Sequence, residues 1–144
     1  MIKYFKEDTT FNFRKKRENN NWIKSVVIEL AQDGKKLRVG DLNIIFCNDS
    51  YILDINRRFL NHDYYTDIIT FDYCEGNILS GDIIISIDSV KENATLYKTE
   101  FENELNRVII HGVLHLMGFK DKTSIQKKRM RELEERALTM KAVI

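Results

Sequence analysis

An α+β fold, with a small mixed β-sheet packed against helices and one buried metal-binding helix among them, is what the sequence predicts. Short runs dense in isoleucine and other strand formers recur at 42–47 (LNIIFC), 67–73 (DIITFDY) and 81–87 (GDIIISI). Between and after them the apolar residues return at helical spacing. The two kinds of segment mix without a regular β-α-β repeat, which favours α+β over a wound parallel sheet. With 144 residues, no proline to mark a linker and no internal repeat, the chain is expected to form a single domain, 1–144, able to bury a real core.

Taken in order, Met1–Phe5 alternates weakly and suits an edge strand. WIKSVVIELA, 22–31, spaces Trp22, Val26, Val27 and Leu30 for a helix, with the preceding asparagines available as caps and Asp33-Gly34 to end it. LNIIFC is then a strand, and Asn48-Asp49-Ser50 caps a helix with Ile52, Ile55, Phe59 and Leu60 on one side. DIITFDY and GDIIISI are two further strands, separated by the turn signal Glu75-Gly76-Asn77. Glu100–Met117 and Thr123–Met140 complete the chain as helices, the second with several charges on its outer face.

The apolar share of 43% and charged share of 31% are those of an ordinary globular protein. A net charge of +1 gives no general attraction to nucleic acid or membrane, so any such partner needs a local patch. No stretch approaches the ~20 apolar residues of a membrane span, and MIKYFKEDTT lacks a signal-peptide core. A cytoplasmic protein with no membrane partner is expected. Cys47 and Cys74, without C-x-x-C spacing, read as reduced, buried thiols.

The chemistry is concentrated in HGVLHLMGFKD, residues 111–121. On the helix that contains its start, Phe101, Leu105, Val108, Ile109, Gly112 and Leu116 share one face, while Ile110, Leu114 and Met117 make the far side apolar as well. His111 and His115 stand one turn apart at the edge of that face, in line with Glu104. Burying an imidazole without a partner costs about 1–3 kcal/mol. Backbone carbonyls or a wet crevice would satisfy each ring separately; a shared metal would satisfy both.

Asp121 favours the metal. His, four residues to His and six more to Asp, across Gly118, matches the spacing of the long zinc-protease motif H-E-x-x-H-x-x-G-x-x-H. In that motif the glycine ends the helix and turns the chain back. Two imidazoles and one carboxylate leave a fourth position for water, as in catalytic zinc sites. Gly112, however, occupies the place of the protease glutamate that acts as general base, so peptidase chemistry is not expected.

These residues resemble the YbeY family of bacterial rRNA maturation factors, metal-dependent endoribonucleases. HGVLHLMGFKD is similar to that family's HGxLHLxGyDH, and INRRFLNHDYYTDIITFDY (55–73) with GDIIIS (81–86) is similar to its LNxxYRxxDxxTDVLSF followed by GDI. The resemblance spans nearly the whole chain. It implies an α+β fold, one metal ion on His111, His115 and Asp121, and metal-assisted hydrolysis of single-stranded rRNA in 16S 3′-end maturation and ribosome quality control. The ribosomal small subunit or its assembly factors are the implied partners.

Two departures from the family pattern matter. Asp121 replaces the third histidine; zinc stays the implied ion, and the harder oxygen ligand makes manganese or iron(II) credible too. Leu60 replaces an arginine that would hold the scissile phosphate, leaving Arg57, Arg58 or His62 as substitutes nearby. That loss supports an alternative: a ribosome-assembly RNA-binding factor whose metal is structural, closed by a fourth ligand from His62, Cys47 or Cys74. The sequence names no general base. Arg58, Lys120, Lys122, Lys127, Lys128 and Arg129, with Arg131 beside them, are the expected RNA contacts, because phosphate binding needs clustered cations. Arg14-Lys15-Lys16-Arg17 is expected to be solvated surface, and Glu132, Glu134 and Glu135 to balance charge along the last helix.

Overall fold

The computed structural model describes residues 1–143. In chain order its elements are β1 (Ile2–Lys6), α1 (Lys16–Glu29), β2 (Arg38–Cys47), α2 (Asp49–Phe59), β3 (Ile68–Asp72), β4 (Ile78–Ser86), α3 (Ile87–Leu96), α4 (Phe101–Leu116) and α5 (Ser124–Val143). The described strands form one four-stranded sheet in the order β1-β2-β4-β3. β1 and β4 each pair with β2 in parallel, and β3 lies antiparallel to β4, with Ile68 opposite Ile85. The sheet is mixed, as the sequence predicts, and no described helix is long and apolar enough to cross a membrane.

The period-two alternation of β4 sends side chains into two separate cores. Ile83 and Ile85 enter the large core with Leu42, Ile44 and Phe46 of β2 and the apolar faces of α1, α4 and α5. Ile84 points the other way, into a smaller cluster with Cys47, Ile52 and Ile69 beneath α2. Burial pushes the Cys47 thiol up to about 12, so it behaves as a small apolar residue there. Both cysteines are free, as expected, though Cys74 is only half-buried.

Asn48 caps α2 as predicted: its side chain accepts a hydrogen bond from the Tyr51 amide at 2.8 Å. Three expectations need correction. α1 begins at Lys16, so the asparagines expected to cap it lie inside the helix, and its N-cap, Lys15, makes no side-chain cap bond. Asn19 is instead buried and donates to the Tyr4 hydroxyl, which donates to Asn20, each at 2.7 Å. A contact to β1 thus overrides the local preference of asparagine for caps. The third helix, α3, is absent from the sequence reading. The strand expected through Ile87 stops at Ser86, whose hydroxyl accepts from the Ser89 amide and starts α3. Finally, β2 and β4 begin several residues earlier than expected, at Arg38 and Ile78.

α4 lies directly against β3 and β4, and at Gly112 the helix meets their side chains closely. A Cβ there would come within 2.8 Å of Ile68 Cδ1 and 2.9 Å of Ile83 Cγ2. The position equivalent to the protease glutamate therefore faces the sheet and has no room for a side chain. Overpacking of this kind costs about 1–3 kcal/mol. Gly112→Ala is expected to lower unfolding stability by that amount in urea titration. Gly112→Glu, which also buries a charge, should leave little folded protein.

Candidate active site

α4 ends in a motif that sets the geometry of the site. Gly118, at φ +103°, donates its amide to His115 O at 3.0 Å, and the Phe119 amide reaches Leu114 O at 3.1 Å. This is the paired closure of a Schellman turn, with Leu114 and Phe119 both buried as its hydrophobic contact. The turn brings Asp121 back over the last two turns of α4.

The three predicted ligands meet there. His111 Nε2 and His115 Nε2 are 3.0 Å apart, and Asp121 Oδ2 lies 3.4 Å and 3.3 Å from them. No other group of three or more potential metal ligands occurs among the described residues. The donor set fits a divalent ion. Donors about 2.0–2.1 Å from a tetrahedral zinc stand about 3.3 Å apart, and those about 2.1 Å from an octahedral ion stand about 3.0 Å apart. The observed edges span both. The side chains remain 23%, 26% and 36% exposed, so solvent reaches the triangle. The alternative fourth ligands do not join it: Cys47 donates to Ile85 O, Cys74 to Ser80 O, and His62 stacks on Tyr64.

Glu134, from α5, completes the arrangement. Its Oε2 is 2.6 Å from His111 Nδ1. A carboxylate only accepts, so the proton sits on Nδ1 and Nε2 keeps its lone pair for the triangle. The other Glu134 oxygen accepts from Arg107 Nη1 at 3.2 Å, and Arg107 also reaches Glu135. Burial lowers the affinity of His111 for a second proton. The hydrogen bond and charge of Glu134, with Asp121 and Asp67, more than reverse that and raise its pKa above the ordinary value. Glu134 is 7% exposed and belongs to the support of the site, not to the solvated charge balance expected for it. Its sequence signal was weak: a glutamate in a charged helix looks the same whether or not a histidine 23 residues away needs it.

The predicted RNA contacts separate. Lys127, together with Arg131, lines a groove that His111, Asp121 and Glu134 also line. Lys120 and Arg129 line a different cavity, and Lys122 and Lys128 are exposed on the surface. Arg58 pairs with Asp54 at 3.1 Å on the exposed side of α2 and lines neither cavity that contains His111. Of the other substitutes for the missing arginine, Arg57 is held by Asp63 and His62 by the Tyr64 hydroxyl at 3.0 Å. Lys15 of the early basic cluster pairs with Glu102 at 2.8 Å, as solvated surface does.

Comparison with known proteins agrees with this geometry. The family model described as Endoribonuclease YbeY matches residues 3–141. The Endoribonuclease YbeY of Bacteroides fragilis is 50% identical over 127 residues, 88% of each chain. That of Parabacteroides distasonis is 49% identical over 139 residues, covering 96% of this chain and 94% of its own. A Thermotoga maritima protein solved in solution superposes with TM-score 0.66 at 27% identity, across 98% of this chain and 89% of its own. With the family model matched almost end to end, this chain belongs to the Endoribonuclease YbeY family.

Proposed function

We propose that residues 1–144, acting as one domain, form a zinc-dependent endoribonuclease of the cytoplasm. Its substrate is single-stranded rRNA, in 16S 3′-end maturation and ribosome quality control on or near the small subunit and its assembly factors. The observation that carries this reading is the solvent-reachable triangle of His111, His115 and Asp121 with Glu134 orienting one ring. The printed names of the relatives support it. A divalent ion there supplies Lewis acidity toward a phosphoryl oxygen and a water of much lower pKa than the ~15.7 of bulk water.

The residues of the chain supply the rest. Glu134 holds the His111 tautomer, and Arg107 holds Glu134. Asp121 closes the triangle from the turn after α4. Lys127 and Arg131 lie one turn apart on α5, and neither has an ion-pair partner among the described residues that would compete with an RNA phosphate. They take the role that Leu60 cannot perform. The partial exposure of the ligands, without a fourth protein donor among the described residues, favours an open catalytic position over a structural metal.

His111→Ala should lose stoichiometric zinc by elemental analysis and lose RNA cleavage with it. Retained metal would refute the ligand set; lost metal with unchanged cleavage would refute the mechanism. Glu134→Gln should keep the fold and weaken zinc affinity about 10–100-fold, measured by competition with a chromophoric chelator. Each lost phosphate contact flattens the log–log salt dependence of single-strand binding by about 0.7. Lys127→Ala combined with Arg131→Ala should therefore reduce that slope by about 1.4; an unchanged slope would remove both residues from the interface.

A further inference from the structure

A cleft of about 640 Å³ runs from His111 along α4 to the end of α3. His111, Arg131 and Glu134 line it at one end and also line the small groove beside the three candidate ligands, so the two spaces adjoin there. Further along the wall stand Asp67, Glu104 and Arg107, with the exposed Tyr97 ring. Glu104 precedes His111 by two helical turns, about 10 Å along the axis, comparable to the reach from a phosphate to the far edge of its own base.

Glu104 is the unexplained residue of this cleft. The residue is 5% exposed and no described residue donates a hydrogen bond to its side chain, yet no buried polar atom among the described residues lacks a partner, so its carboxylate oxygens keep contact with solvent in the cleft. Asp67, by contrast, already accepts from Asn93 at 3.2 Å. A carboxylate met only by the water of a confined cleft leaves its lone pairs free for a ligand's donor, and a hydrogen bond made there is stronger than in bulk water.

We propose that this cleft is the nucleoside subsite of the cleavage site. With the phosphate at the Arg131 end, the adjoining base enters the cleft, stacks on Tyr97 and presents an exocyclic amino group to Glu104. The preferred substrate is then single-stranded RNA with cytosine, adenine or guanine beside the cut bond. Uracil is disfavoured because its one ring N–H lies between two carbonyl oxygens, which a carboxylate repels. The proposal rests on the endoribonuclease reading above and adds the part of the substrate that it reads.

The test uses the full-length, zinc-loaded protein in single-turnover cleavage of short uridine oligomers, each with one central C, A, G or U. The wild type should cut beside the inserted C, A or G at least about fivefold faster than the all-uridine oligomer. Glu104→Gln, which keeps the shape, should reduce that preference below about twofold at unchanged zinc content. Tyr97→Ala, at an exposed position the fold does not need, should weaken all four oligomers alike by about tenfold in anisotropy binding. Base-blind cutting by the wild type, an unchanged preference in Glu104→Gln, or unchanged binding in Tyr97→Ala would overturn the subsite alone. No cutting of any oligomer would overturn the endoribonuclease reading as well.

Discussion

Two imidazole nitrogens and a carboxylate oxygen within 3.4 Å of one another repel unless a proton or a cation lies among them. Much of the surrounding fold keeps these three atoms from moving apart. α4 fixes the two nitrogens one turn apart; the Schellman closure at Gly118 fixes the direction in which the chain returns; α5 reaches in with Glu134 to orient one ring. Burial opposes a second proton on His111, but the Glu134 hydrogen bond and charge, followed by Asp121 and Asp67, raise its pKa.

The stiffness of α4 comes from its burial. Ile109, Ile110, Val113 and Leu114 are fully enclosed, and the helix is drawn onto β3 and β4 wherever side chains are small enough. Gly112 permits that approach at the turn that carries both histidines. The residue that removes the protease base is thus the one that lets the ligand helix sit flush on the sheet. Packing and chemistry are specified at a single position, and a side chain for one purpose would defeat the other.

The sequence was most informative where its signals were local. His111, His115, Gly118 and Asp121 lie within eleven residues, and the helix, its break and the returning carboxylate are each legible from spacing alone. The strands were legible from their isoleucines, but their ends were not, because ladder pairing extends β2 and β4 into residues of no strong preference. α3 was hidden by the isoleucine run before it: Ser86 reads as one more strand residue until its hydroxyl is seen capping the next helix. Glu134 and Arg107 escaped for a different reason. Their roles depend on how α4 and α5 lie against each other, and no short window of sequence contains that.

Placing Glu134 beneath His111 also alters the charge that a substrate meets. A dication bound to two neutral rings and Asp121 retains one net positive charge, and the Glu134 carboxylate behind the ring offsets that as well. The centre is therefore close to electroneutral when filled, with Arg107 engaged by Glu134 and Glu135. An anionic polymer gains little long-range attraction from such a core. On the proposed reading its approach and alignment then fall to Lys127 and Arg131 of α5, which would make capture of the strand and activation at the ion separate functions of separate surfaces.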